Sequence, residues 1–140
     1  MTYRELSAWV MSAALIAGAA FYFNTVRAAS AALGELAPPF VGPVFVYVMI
    51  LVILSVIGLT IAAMIAPKTA NEPTDERERT IVSRAGSLSG ALFGFSVVGG
   101  LGGYLFTGDG DLLFYIVFGS LMASQLAEYL LQIWYYRRGV

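Results

Sequence analysis

The stretch PVFVYVMILVILSVIGLTIAAMIA, residues 43–66, decides the fold class of this protein. It contains no charged residue, and it exceeds the about 20 apolar residues that a helix needs to cross a bilayer. Because lipid offers no hydrogen-bond partners, a continuously apolar run predicts a transmembrane helix rather than a barrel strand, whose residues would alternate in polarity. We therefore expect an integral membrane protein.

Three further apolar stretches have a similar length, at residues 6–26, 85–106 and 112–135, and only the last contains a charged residue, Glu128. The sequence thus predicts one all-α domain over residues 1–140, an up-down bundle of four transmembrane helices with a longer connection at 67–84. Helices that follow one another in the chain are expected to be antiparallel neighbours, so that the first packs on the second, the second on the third and the third on the fourth. The long first and middle connections also permit a crossover.

The composition excludes several classes of function. Hydrophobic residues make up 59% of the chain and charged residues 12%, against roughly 25% charged in soluble domains. The net charge of −1 gives no basic excess for nucleic acid, and the absence of Cys and His excludes thiol chemistry, Cys/His zinc sites and histidine catalysis. We expect a protein that is not an enzyme and that uses no metal and no cofactor.

The basic residues predict the orientation in the membrane. Of the eight Lys and Arg residues, only Arg27 lies in the first connection, whereas the others lie near the termini or in the 67–84 connection. Because Lys and Arg accumulate on the cytoplasmic side, both termini and residues 67–84 are expected there. The predicted location is the cytoplasmic (inner) membrane.

Small residues at steps of four predict where helices approach one another closely. The third span carries Gly86, Gly90 and Gly94, and the fourth carries Gly119 and Ala123. Such stripes allow close helix contact in lipid, where hydrophobicity alone does not drive association. The third span is therefore expected to be the central helix, or to lie at the interface of a homo-oligomer.

The 67–84 connection is the main charged segment of the chain. Asp75 and Glu78 have the spacing of a capping box, so a helix is expected to begin near residue 74 and run into the third span. In the turn before the fourth span, Asp111 suits the N-cap. A partner protein is expected to dock on a set of charged residues in the connection: Asp75, Glu76, Arg77, Arg79 and Arg84.

This connection also carries a family resemblance. Asp75-Glu76-Arg77, then Ile81 and then Arg84-Ala85 lead directly into a span, which resembles the signature of small four-span prokaryotic membrane proteins of the DUF2178 type. The resemblance covers about a tenth of the chain. It implies no established activity, but members of that family often accompany small helix-turn-helix regulators, which implies a regulatory membrane partner.

Glu128 lies within the fourth span, where an ionisable residue costs about 2.5–3.5 kcal/mol on insertion scales and is a candidate functional group. Its depth suggests a polar layer, and a pair with Arg84 at the membrane border is geometrically marginal. Three roles are open for Glu128: binding of a proton or cation, contact with another protein's span, or a structural role that fixes helix register. The expected members of the polar layer, besides Glu128, are Gln125, Gln132, Ser12, Thr60 and Ser89.

The leading hypothesis from the sequence is a small membrane protein that acts through protein partners as a regulatory or accessory subunit. The alternative is a small homo-oligomeric transporter or channel that uses Glu128. Membrane lipid, a second copy of the chain and another protein are the partners considered, and no direct contact with nucleic acid is expected.

Overall fold

The computed structural model describes residues 1–139 and is built of helices. The elements in chain order are α1 (Tyr3–Leu33), α2 (Val41–Ile65), α3 (Pro67–Ala70), α4 (Glu76–Thr107) and α5 (Gly110–Arg138). Helices α1, α2, α4 and α5 are long and apolar enough to cross a membrane, whereas α3 is a single turn. This confirms the predicted all-α membrane bundle of four long helices.

The helix ends have the expected chemistry, with one correction. Gly34 and Gly108 end α1 and α4 with φ of 71° and 66°, a left-handed conformation that glycine adopts without steric cost. Asp75 caps α4 in a complete capping box with Glu78, as predicted. The N-cap of α5 is Asp109 rather than Asp111, because the helix begins one residue earlier than Asp111 and the Asp109 carboxylate accepts from the backbone of Asp111 and Leu112, each at 3.1 Å.

The long helices are arranged in the order α2, α1, α5, α4. Helix α1 packs on α2 and on α5, and α5 packs on α4. Within residues 1–139, no Cα atom of α2 lies within 8 Å of one of α4. The predicted neighbours one–two and three–four are present, but the predicted contact between the second and third spans is wrong and is replaced by contact between the first and the fourth.

An aromatic core explains this order. Tyr22 of α1 is 1% exposed, and its ring centroid lies 4.8 Å from that of Phe118 on α5. Tyr47 of α2 completes the group, 5.4 Å from Phe118 and 6.2 Å from Tyr22. Edge-to-face contacts of this kind add to the dispersion energy of the large rings. Helix α1 therefore holds α2 and α5 through one shared core, and α4 is added at the edge.

Helix α4 is thus a peripheral helix. Of the two predicted alternatives, the central helix is wrong, and the interface of a homo-oligomer stays a prediction. Among residues 1–139, the Cα atoms of α4 come within 8 Å of those of α5 alone, through a face that includes the buried Ala85 and Gly100. We call the end of the bundle with residues 3–9, 67–84 and 132–138 the terminal end, and the end with residues 30–43 and 107–112 the loop end.

Candidate functional site: an intramembrane carboxylate and the terminal end

Glu128 lies on α5 beside α4, in contact with two polar side chains. The hydroxyl Oγ of Ser89 lies 3.5 Å from Glu128 Oε2, and the amide Nε2 of Gln132 donates to Oε1, also at 3.5 Å. Ser89 and Gln132 are buried, at 5% and 8% exposure. Each carboxylate oxygen therefore has one protein donor at the long end of the hydrogen-bond range.

The hydroxyl of Ser89 is suited to both protonation states of Glu128. It has one proton and lies 3.1 Å from the carbonyl oxygen of Gly86 as well as near Glu128. When Glu128 is ionised, Ser89 donates to the carboxylate. When Glu128 is protonated, its O–H donates to Ser89 Oγ while Ser89 donates to the Gly86 carbonyl. Ser89 therefore keeps a hydrogen-bond partner with either form of the Glu128 side chain.

The structure brings together only part of the predicted polar layer. Thr60 is exposed on α2, whose Cα atoms do not come within 8 Å of those of α5 in residues 1–139, and it donates to the carbonyl of Val56 at 2.7 Å. Gln125 is exposed on α5. Ser12 is buried on α1 at 2% exposure, and its Oγ has no hydrogen-bond partner among residues 1–139. The cluster therefore consists of Glu128, Ser89 and Gln132.

Arg84 does not neutralise Glu128. It is exposed on α4, and the ion pairs in the part of the chain that the structure describes do not include it. The Glu128 carboxylate faces the interface of α4 and α5 instead, where Gly86 lies so near that a Cβ atom there would be 3.8 Å from Oε1.

Two ion pairs join the helices at the terminal end. Arg4 Nε of α1 lies 2.8 Å from Glu78 Oε2 of α4, and Arg137 Nε of α5 lies 3.7 Å from Glu5 Oε1 of α1. Glu78 therefore serves both the capping box of α4 and the pair with Arg4. The sequence predicts only the role of Glu78 in the cap, because a linear pattern does not show that residues 4 and 78 are in contact.

These contacts show which of the predicted docking residues are engaged within the chain and which are not. Asp75 is committed to the cap, where it accepts from the backbone N–H of Glu78 at 2.7 Å. Arg77 donates to the carbonyl of Tyr136 at 3.4 Å. Glu76, Arg79 and Arg84 are exposed and belong to neither ion pair of residues 1–139. Those three side chains are free to meet something outside the chain.

Only some of the predicted small residues lie at a contact between helices. Gly119 lies at the interface of α1 and α5, where a Cβ would be 3.4 Å from Cζ of Phe23, and Ala123 lines the same groove. By contrast, a Cβ at Gly90 or Gly94 would meet no atom within 4 Å. Gly90 and Gly94 therefore face away from the rest of the protein, and the close approach they allow is not used within one copy of the chain.

No group of three or more acidic side chains that could hold a metal ion occurs in the described residues. Comparison of the chain with protein-family models, with curated proteins and with solved structures finds no match. The resemblance to the DUF2178-type proteins stays a prediction.

Proposed function

We propose that this protein is a regulatory or accessory subunit of the inner membrane that acts through a protein partner at its terminal end, without enzymatic activity. The proposed orientation places the terminal end in the cytoplasm. It rests on the distribution of the basic residues, of which only Arg27 lies near the loop end.

The observation that carries the proposal is the start of α4. This helix begins at Glu76, well before the apolar stretch that starts at residue 85, so its first two turns extend beyond the predicted membrane border. Glu76 and Arg79 are exposed there, while the Arg4–Glu78 pair and the capping box hold the segment in place. A pre-ordered charged surface loses little conformational entropy on binding, which favours recognition of a soluble partner.

The test is native mass spectrometry of the protein extracted from its own membranes at its natural expression level. We expect a second protein in a fixed ratio, and we expect the double charge reversal Glu76→Lys with Arg79→Glu to release it. Lys68→Glu is the matched control, because Lys68 is an exposed charge of the same end that lies outside α4. A companion that stays bound in the double variant, or no companion at all, would refute the proposal.

The cluster around Glu128 favours a second candidate, a small homo-oligomeric transporter or channel that binds a proton or cation. Its support is the arrangement of Ser89 between Glu128 and the Gly86 carbonyl, which suits both protonation states. In proteoliposomes with an internal pH dye, Glu128→Gln should then abolish proton flux, whereas Glu35→Gln at the loop end should not. If Glu128→Gln lowers only the thermal stability, Glu128 has a structural role and this candidate fails.

A further inference from the structure

We infer that the outer face of α4 binds a phospholipid with an anionic headgroup, its phosphate at Arg84 and an acyl chain in a shallow cavity deeper in the membrane. The inference is independent of the proposed protein partner, which uses the water-exposed Glu76 and Arg79. It assigns an occupant to the side of α4 that the rest of the chain leaves uncovered.

The cavity lies on the side of α4 away from α5. It has a volume of about 360 Å³ and is lined by Ala91, Gly94, Phe95 and Val98. Phe95 and Val98 form its walls and are 81% and 69% exposed, while Gly94 leaves the floor open. The lining is almost wholly apolar, and the residues lie well inside the uncharged stretch 85–106. This is the chemistry of a site for a hydrocarbon chain.

Arg84 lies on the same side of α4 as this cavity, nearer to the terminal end. Residues 84, 91 and 98 follow one another at steps of seven, so they lie on one side of the helix. At a rise of 1.5 Å per residue, Arg84 lies about 10 Å from Ala91 along the helix axis, toward the terminal end. It is also the last charged residue before the apolar stretch, which places its guanidinium at headgroup depth.

The charges around Arg84 favour an anion. Arg84 is exposed and takes part in neither ion pair of the described chain. Glu78 is engaged by Arg4, and Glu128 faces Ser89 on the α5 side of α4. Exposed Ser87, three residues after Arg84, adds a hydroxyl donor on the same side. A headgroup phosphate would meet one unpaired guanidinium and one hydroxyl there.

A second copy of the chain fits this face less well. A symmetric pair of parallel α4 helices would bring Arg84 of each copy toward the same interface, where the two like charges repel. The exposed ring of Phe95 also interrupts the smooth surface that close contact of two helices through Gly90 and Gly94 requires. A flexible acyl chain adapts to the ring, and an anionic headgroup neutralises the arginine.

The test is native mass spectrometry of delipidated protein titrated with phosphatidylglycerol or with phosphatidylcholine of the same acyl chains. We expect about fivefold preference for phosphatidylglycerol, which corresponds to the about 1 kcal/mol that one basic residue contributes near an anionic lipid surface. Arg84→Gln should remove the preference, and Arg84→Lys should keep most of it. Arg138→Gln is the control, because Arg138 is an exposed arginine at the same end that stacks on Trp134 instead.

Gly94→Leu tests the cavity separately, because the added side chain fills its floor and should weaken binding of both lipids. Equal binding of the two lipids by the unchanged protein, or an unchanged preference in Arg84→Gln, would overturn the inference. It is also overturned if Gly94→Leu changes the mass of the assembly from dimer to monomer while leaving lipid binding intact, since the face would then hold a second copy. If Arg84→Gln loses the lipid preference but keeps the protein companion, the lipid site and the proposed partner site are independent.

Discussion

The glycines inside the bundle and those on the outer face of α4 have opposite surroundings. A Cβ at Gly18 would lie 2.9 Å from the ring of Tyr47, one at Gly100 would lie 2.8 Å from Cγ2 of Ile116, and one at Gly58 would overlap Val10. At Gly90 and Gly94 it would meet nothing within 4 Å. Glycine is required at the first three positions by close helix contact, whereas at the other two no contact within residues 1–139 requires it.

The largest expected effect is that of Gly58→Leu. The new side chain would enter the space of Val10 at the interface of α1 and α2, so we expect a loss of about 1–3 kcal/mol in the free energy of unfolding, as for other overpacked cores. Unfolding in mixed micelles with increasing sodium dodecyl sulfate would measure it. Gly90→Leu introduces the same side chain on the outer face and should cost far less, and equal losses would refute the distinction between the two glycine environments.

The capping box of α4 comes next. Asp75→Ala removes the acceptor of the Glu78 backbone N–H and should cost about 0.5–2 kcal/mol, with the loss concentrated in the first turn of the helix. Hydrogen exchange of the amides of residues 76–79 should become faster. Glu72→Ala, a change at an exposed residue outside α4, should leave that exchange unchanged, and equal acceleration in both variants would contradict the role of the cap.

A smaller effect is expected at the loop end, where the hydroxyl of Tyr115 donates to the carbonyl of Ala37 at 2.7 Å. Ala37 is only 1% exposed, so Tyr115→Phe leaves its carbonyl unpaired and should cost about 1 kcal/mol in the same unfolding measurement. The matched control is Tyr104→Phe, since Tyr104 is 40% exposed on α4. A neutral Tyr115→Phe would show that this bond does not hold the first connection against α5.

The smallest effect is expected at the outer face itself. Gly94→Ala adds a methyl group where no atom lies within 4 Å, and alanine is the better helix former by about 0.8–1.0 kcal/mol in water. We expect unchanged or slightly higher stability of the isolated protein. A clear loss of stability in the monomer would show that Gly94, like Gly58, is required by a contact within the chain.

Several local features followed from the sequence because they depend on nearby residues. The capping box of Asp75 and Glu78 was predicted correctly, since it satisfies backbone groups within a few residues. The cap of α5 was misplaced from Asp109 to Asp111 for the same local reason, because two aspartates two residues apart both suit an N-cap. The error shifts the predicted N-cap by two residues and does not affect the prediction of the helix.

The candidate site was only partly predictable. Ser89 meets Glu128, since depth along the helices is readable from the length of each span, and Gln132 meets it because residues four apart lie on one side of a helix. Thr60 has a matching depth but is exposed on α2, and Gln125 is exposed on α5. Depth alone does not show which helix stands next to which, so the same argument that found Ser89 also selected Thr60.

The sequence by itself determined that this protein has four long apolar helices, because backbone groups in lipid must be satisfied within each helix. Only the tertiary structure decided that α1 and α5 are the central pair and that α4 lies at the edge. Every span carries small residues, and apolar side chains interact about equally well with lipid and with one another, so the pattern of small residues does not identify neighbours. The choice was made by the fit of Tyr22, Tyr47 and Phe118, which a linear sequence does not display.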